Sequence, residues 1–419
     1  MAAKTSRVAT RPTTRDHIAT AGLIGSHILQ HLYGHAFYVI LPLIYTSLGL
    51  TPIAAGLIGT VRHVGSGLSS TVGGVLIDRL QHRRLLILYF SLITMGLGYL
   101  LVGLAPTFTI ILMALAFTSM AGSIWHPTAR SLLSQIYPER RGLMISIDRS
   151  AGNVGDTIGP LAAGALLLVF AWQQLFLVAF PLAIMLAVFL WLTLRRAETF
   201  QELGARSHGE SRSLSDQMRS LKELVGSNGK LLGLLLLVKG IAGFGQGGLI
   251  LWIPLYLQEV EGMGTVGIGF HVALLTAVGI VTSPAFGFLS DRMGRVPVVL
   301  LVLAGKGTVA LLLAWMGTGV MLTVLIGAMG AFNAVINPVV QAWALDIAHG
   351  RRLEGTMLGA LSGTNLVFRG VGPLVVGVVV ASLGFGALFW YVAVMNGLAL
   401  FVIVAALPFL GAGARQVRS

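Results

Sequence analysis

Apolar and polar positions in this chain are grouped in long blocks: apolar runs of about twenty residues or more, closed by short breaks rich in polar residues, glycine or proline. An α-helix needs about 20 apolar residues to cross the hydrocarbon of a bilayer. Runs of that length predict helices near 17–45, 52–76, 85–104, 107–133, 142–170 and 175–194. After a polar stretch, six more follow near 230–258, 266–289, 297–316, 320–346, 355–382 and 385–410. The pattern predicts an all-α integral membrane protein with twelve spans: a tail (1–16), a six-helix bundle (17–194), a linker (195–229), a second six-helix bundle (230–410) and a closing tail (411–419). Within the linker, Leu214, Met218, Leu221 and Val225 share one face of a helix, as in a short amphipathic segment on the membrane surface. A disordered tether is the alternative.

Composition agrees with this reading. Of 419 residues, 55% are hydrophobic and 10% charged, against roughly 25% charged in soluble domains, so twelve spans leave little chain for a soluble domain. The net charge of +13 does not point to nucleic acid, which calls for a basic face on a folded polar domain. It reads as topology instead. Alternating the spans puts twenty-two of the 28 lysines and arginines in the tails, the linker and the loops of Arg79, Arg83, Arg84, Arg140, Arg141, Arg292, Arg295, Arg351 and Arg352, all on one side. The opposite loops have none; 259–265 carries only Glu259 and Glu261. Positive charge marks the cytoplasmic side, so both termini are expected there. The chain has no cysteine, which excludes disulfides, thiolate metal sites and thiol catalysis. Its basic opening, Met1 to Arg15, does not resemble a cleaved signal peptide.

The two bundles repeat each other at an almost constant offset. Leu41-Pro42-Leu43 returns as Ile253-Pro254-Leu255, and Gly74-x-x-x-Asp78-Arg79 as Gly287-x-x-x-Asp291-Arg292. His126-Pro127 returns as Asn337-Pro338, and Gly159-Pro160-x-x-x-Gly164 as Gly372-Pro373-x-x-x-Gly377. Two parallel repeats about an axis along the membrane normal suit a carrier that exposes one central site to each side in turn.

The loops after the second and eighth spans resemble the signature of the major facilitator superfamily, Gly-x-x-x-Asp-Arg-x-Gly-Arg-Arg/Lys. GFLSDRMGR follows it, whereas GVLIDRLQHRR has Gln81 and His82 where the pattern has glycine and arginine. The resemblance implies that Asp78 faces the start of the eleventh span and Asp291 the start of the fifth, latching one conformation with Arg79, Arg83, Arg292 and Arg295. Gly155-x-x-x-Gly159-Pro160-x-x-Ala163-Gly164 in the fifth span, with Ala163 in place of one glycine, is similar to the glycine-proline signature of antiporters in this superfamily, which implies export and a hinge at Gly155, Gly159, Pro160 and Gly164; close helix packing alone is the alternative. Three patches, SHILQHLY, SIWHPTAR and AGNVGDTIGPLAAG, resemble the fosmidomycin resistance group of drug exporters. That group implies a bacterial inner-membrane protein.

Charge within a span is costly and faces a cavity or a partner. Six basic residues lie inside spans: Arg62, Arg130, Arg149, Lys239, Lys306 and Arg369; so do Asp148, Asp156 and Asp346. Arg130, Arg149, Asp148 and Asp346 fall near the basic ends and read as snorkelling or gate-latching groups. Asp156 and Arg369 lie deeper and correspond across the repeat; they either face a shared cavity or are neutralised by separate neighbours. Arg62 and Lys239 are similarly deep and would attract an anionic substrate. His27, His31 and His35 recur every four residues on one helix face, about 12 Å from end to end, and Tyr38 extends the line. By resemblance the first span lines the cavity, so these imidazoles are candidates for proton coupling; packing is the alternative. The stripe has the spacing of a transition-metal site, but no carboxylate lies near it in sequence and there is no cysteine, so no metal or cofactor is expected. His126 and Asn337 are read as kink-associated cavity groups. Asn153, Asn333, Asn365, Gln30 and Gln246 are neutral partners for helices or cargo.

The resulting expectation is a secondary transporter, a proton-coupled exporter of a small organic compound, with an importer or facilitator of an anionic metabolite as its rival. An embedded hydrolase would need a nucleophile with base and orienting groups, and none is recognisable; a receptor would need an output domain. The GxxxxGK[ST] loop is missing, which argues against ATP-driven pumping. The expected partners are a small molecule, protons and the bilayer, with no nucleic acid, and the chain is expected to work as a monomer.

Overall fold

The computed structural model describes the backbone of residues 13–79, 83–196, 214–348 and 354–416. Side chains are described for the same residues apart from 70–79, 138, 141, 214–218, 220–221, 223–225, 227–228, 348, 354–360, 362, 364–366 and 409–416. The amphipathic set of the linker, Asp78, Arg79, Arg351, Arg352 and Asn365 therefore lie outside the described side chains.

The helices are α1 (Thr14–Ser47), α2 (Pro52–Arg79), α3 (Arg84–Leu104), α4 (Phe108–Ile136), α5 (Arg141–Leu166), α6 (Trp172–Leu194), α7 (Leu214–Glu259), α8 (Thr265–Met293), α9 (Arg295–Met316), α10a (Gly319–Asn333), α10b (Ile336–Ala348), α11 (Glu354–Leu383) and α12 (Ala387–Gln416). With α10a and α10b sharing one span, these make the twelve-helix, all-α membrane architecture expected. Thr13 and Asp16 start α1 with a reciprocal capping box, the Thr13 amide donating to Asp16 Oδ2 at 2.8 Å and the Asp16 amide to Thr13 Oγ1 at 3.3 Å. Among the described residues, nine helices are long and apolar enough to cross a membrane. The spans below that threshold, α2, α5 and α11, carry Arg62, Asp148, Asp156 and Arg369 and line the interface between the bundles. Large apolar side chains such as Val169, Trp315, Val320, Leu383 and Phe401 stand exposed on the outer surface, the arrangement expected where lipid is the solvent.

Two elements differ from the sequence reading. The tenth span is broken at Ala334 and Val335 rather than continuous. Pro338 is the cause: its ring clashes with the carbonyl four residues back, that of Ala334, and it offers no amide to it. The linker segment after 213 is not a separate surface helix but the first turns of a 46-residue α7. Gly226, Ser227, Asn228 and Gly229 are polar and small, but with no proline among them nothing forces the chain out of the helix.

Each half packs to the same plan, α1 on α5 and α7 on α11, and the halves meet where α2 crosses α11 and α5 crosses α8. Both crossings sit toward the end that lacks basic loops. Gly377 lies against Pro52 and Ile53, Gly56 and Gly59 against Pro373, Gly164 against Thr265, and Gly269 against Pro160. Toward the basic end, Gly142 on α5, Gly287 on α8 and Gly363 on α11 have open space where a Cβ would go. Among the described residues, the close backbone approaches between the halves thus gather at the end that lacks basic loops.

Candidate transport site

On α1 the i, i+4 spacing places His27, His31 and His35 along one face, and the small residues of α5 bring that face close to α5. A Cβ on Gly155 would collide with the Ile28 carbonyl, and one on Gly159 with the Leu32 carbonyl. This approach seats two α5 carboxylates among the histidines. Asp148 Oδ1 accepts from His27 Nδ1 at 2.7 Å while its Oδ2 accepts from Arg130 Nε at 3.1 Å. Asp156 Oδ1 accepts from His31 Nδ1 at 2.7 Å and lies 2.5 Å from His35 Nδ1. An ionised carboxylate has no proton to give, so the Nδ1 atoms carry the hydrogens. His126 of α4 completes the cluster, its ring 4.9 Å from that of His27 and 5.5 Å from that of His31. Tyr38 sits edge-on to His35, and Arg62 lies over the Phe37 and Tyr38 rings and donates to the Gly34 carbonyl at 3.1 Å.

Two expectations are corrected here. Asp148 does not snorkel at the membrane edge: its side chain is 1% exposed and ties α1, α4 and α5 together. The histidine stripe does have carboxylates beside it, brought from 121 and 125 residues away in sequence, a distance at which spacing carries no information. Of the other edge residues, Arg149 is exposed beside Arg130, and Arg83 is exposed at the start of α3.

The second bundle carries positive charge of its own inside the spans. Lys239 and Lys306 are 3% and 1% exposed, and Arg369 is close enough to both, and to His63, to act on them electrostatically. Among the described residues, none of Lys239, Lys306 and Arg369 pairs with a carboxylate. The acidic residues of this half, Glu259, Glu261, Asp291, Asp346 and Glu354, all fall at helix ends. Asp156 and Arg369 do not bond to each other; Asp156 is held by its own bundle's histidines, and Arg369 Nε is buried without a hydrogen-bond partner. Lys306 Nζ donates to Asn333 Oδ1 at 2.8 Å, Gln246 Nε2 to the Asn333 carbonyl at 3.3 Å, and Asn337 Nδ2 to Gln246 Oε1 at 3.3 Å. Sequence reasoning gave Lys306 no role and passed over His63 and the buried Asn396; the one available signal was a polar residue interrupting an apolar run.

At the basic end Arg295 donates to Asp346 Oδ2 at 2.8 Å and to Ser290 Oγ at 2.7 Å, and also pairs with Asp291; Arg292 stacks on Phe288. Asp291 is 64% exposed and makes this pair within its own half; among the described residues no contact of it with the fifth span, which the loop signature implies, is seen. The α5 glycines divide their work. Gly155 and Gly159 face α1, Gly164 accepts through its carbonyl from Thr265 Oγ1 at 3.0 Å, and Pro160 meets Gly269. The helix runs unbroken through Pro160. A groove of about 200 Å³ beside α1, α5 and α6, lined by residues such as Leu32, Tyr33, Ala36, Leu166 and Phe170, is almost wholly apolar and is separate from the polar site.

The chain is similar to known transporters over nearly its whole length. Multidrug resistance protein MdtG of Citrobacter koseri is 26% identical over 389 residues, 88% of this chain and 90% of that protein; MdtG of Escherichia coli strain SMS-3-5 is 25% identical over 377 residues, 85% of this chain and 87% of that protein. Among solved structures, the nucleoside transporter NupG superposes with a TM-score of 0.77 at 12% identity, covering 92% of this chain and 99% of that one. A bacterial homologue of the human lysosomal transporter Spinster gives 0.72 at 18% identity, covering 93% and 94%, and the human organic anion transporter MFSD10 gives 0.65 at 16%, covering 93% and 100%. The family model of the Major Facilitator Superfamily matches residues 23–329 and 267–414. Together with the twelve-helix, twofold architecture, this makes the chain a member of the Major Facilitator Superfamily, a secondary transporter and not an enzyme.

Proposed function

We propose that this protein exports small organic anions from the cytoplasm by alternating access, loading them at the basic end and releasing them at the opposite end in exchange for protons. The observation that carries the cargo class is the uncompensated positive charge of the second bundle. Cations within the membrane without counter-charge are costly, and the buried Lys239 and Lys306 and the half-buried Arg369 have no carboxylate partner among the described residues. An anion entering from the basic end supplies that counter-charge. The same class appears in the name of one structural neighbour, an organic anion transporter. The names of the sequence relatives, multidrug resistance proteins, support export, as does the antiporter-like glycine-proline pattern of α5.

The positive-inside distribution supports placing the basic end in the cytoplasm of a bacterial inner membrane. With no phosphate-cradling motif in the chain, the energy comes from gradients. The membrane potential alone favours anion exit by about 2.3 kcal/mol per charge per 100 mV, and proton exchange adds the pH gradient to it.

The test is flux in sealed proteoliposomes, with potential and pH gradient imposed separately and a panel of carboxylates, phosphonates and cationic drugs as cargo. Export predicts that anions move, that both gradients drive them, and that Arg369→Ala raises the anion KM. Movement of cationic drugs alone would overturn the cargo class. Anion flux indifferent to the pH gradient would overturn the coupling and leave a facilitator.

A further inference from the structure

Where α1, α4 and α5 meet, three imidazoles come together in an arrangement that transport of an organic anion does not require. His27, His31 and His126 offer one ligand atom each within 4.8 Å of one another, and the His27 and His31 rings are 4.7 Å apart. Gly152 forms the wall in front of them: a Cβ there would lie 3.1 Å from His31 Nε2 and 3.2 Å from His27 Nε2, so both atoms open into the same small space. His27 Nε2 and His126 Nδ1 are buried with no hydrogen-bond partner, although His27 is 1% exposed and buried polar atoms are as a rule paired. The far nitrogens are already committed. His27 Nδ1 donates to Asp148 and His31 Nδ1 to Asp156, each at 2.7 Å, which leaves both Nε2 atoms as bare lone pairs. A histidine whose other nitrogen donates to a carboxylate is the arrangement that orients imidazoles around a metal ion and raises their basicity.

We propose that His27, His31 and His126 form a binding site for one divalent transition-metal ion of the zinc type, with Asp148 and Asp156 fixing the tautomers of two ligands. Imidazole donors select zinc, cobalt, nickel or copper over magnesium or calcium. A tetrahedral ion with metal–nitrogen bonds of about 2.0–2.1 Å holds its donors ~3.4 Å apart, so binding draws the rings inward from their present spread. Three protein donors leave a fourth position open beside Gly152. A second trio, His31, His35 and Asp156, is also compact, but there both Nδ1 atoms turn their hydrogens to the carboxylate, so an ion among the three would have to displace those hydrogens. The site stands on this geometry alone and does not depend on the anion reading.

The experiment is titration of the full chain, purified in detergent through a histidine-free tag, with Zn²⁺ by calorimetry and with Co²⁺ by visible absorption and X-ray absorption spectroscopy. The expected result is one ion per chain with imidazole nitrogen in its first shell. Binding is lost in His126→Ala and in His126→Gln, retained in His35→Ala, and weakened about 10–100-fold in Asp148→Asn, as for carboxylates behind metal-bound histidines. Thermal unfolding of each variant without metal shows which of them fold, and the wild-type Co²⁺ spectrum reads imidazole ligation without any substitution. Absence of saturable binding to the wild type, or a Co²⁺ spectrum without nitrogen ligation, overturns the proposal. Loss of the ion in His35→Ala with retention in a folded His126 variant overturns it in favour of the other trio.

Discussion

Gly269 lies so close to Pro160 that a Cβ on the glycine would fall on the proline's carbonyl oxygen, and the repeat-related pair, Gly56 and Pro373, is built the same way. Two helix crossings, one between α5 and α8 and one between α2 and α11, thus seal the same end of the molecule with backbone against backbone. A methyl group at either glycine forces the halves apart, and overpacking of this kind costs about 1–3 kcal/mol, enough to shift a two-state equilibrium by roughly ten- to a hundredfold. Gly269→Ala is therefore expected to populate the state open at this end. The chain has no cysteine, so spin labels at Gln173→Cys and Glu261→Cys, one on each half, report the separation directly. Their distance distribution should lengthen in Gly269→Ala; an unchanged distribution would show that the crossing is not what holds this end shut.

The second prediction concerns Asp148, which joins α1, α4 and α5 through His27 and Arg130. Arg130 is 47% exposed, so its ion pair is screened and contributes little. The His27 bond is buried and holds most of the effect. Asp148→Asn should lower the Tm in detergent, and His27→Ala should lower it further in the wild type than in Asp148→Asn, because contacting residues are not additive. Fully additive shifts would mean that the two side chains do not depend on each other.

Most of the architecture was legible in the sequence because lipid imposes simple demands. Twelve apolar runs, a one-sided distribution of Arg79, Arg140, Arg292 and their neighbours, and a repeat offset that maps Pro160 onto Pro373 need no tertiary information. The site was only half legible. His27, His31 and His35 announce themselves by their spacing, but their carboxylates arrive from α5 through a helix contact that Gly155 and Gly159 make possible, and no local pattern reveals which faces meet. The burial of Asp148 was hidden for the same reason: its position along the helix placed it near the membrane edge, while its burial depends on α1 and α4 packing over it. The correspondence of Asp156 with Arg369 across the repeat was legible too, but not their surroundings: Asp156 is paired with His31 and His35 of its own half, while Arg369 has no carboxylate partner among the described residues.

The third prediction follows from the charge of the second bundle. Two unit charges about 6 Å apart at an effective dielectric constant near 20 interact by roughly 3 kcal/mol. Removing one cation that faces the cargo should therefore raise the KM for an anion by about 10–100-fold. Arg369→Ala is expected to do this, Arg369→Lys to recover most of the affinity, and a neutral cargo of similar shape to be indifferent to both. Initial-rate transport in proteoliposomes measures all three. Equal loss for charged and neutral cargo would mean that Arg369 shapes the bundle rather than attracting the anion.

The last prediction separates a structural proline from a moving one. Pro338 breaks the tenth span at Ala334 and Val335, while Pro127, its counterpart in α4, sits inside a continuous helix. The break falls beside Asn333, whose carbonyl accepts from Gln246 and whose side chain accepts from Lys306, so the polar network of the second bundle is fastened where the helix is interrupted. Pro338→Ala restores an amide that can donate to the Ala334 carbonyl and removes the ring that excludes it, and an interior proline costs a helix about 3 kcal/mol. The variant should thus have a higher Tm than the wild type. If α10a and α10b must bend relative to each other as the bundle opens and closes, the same variant loses kcat with its anion KM little changed. Should the Tm rise while kcat stays at the wild-type value, the break is a fixed feature that positions Asn333 and Asn337, and the conformational change runs entirely through the crossings of α2 with α11 and α5 with α8.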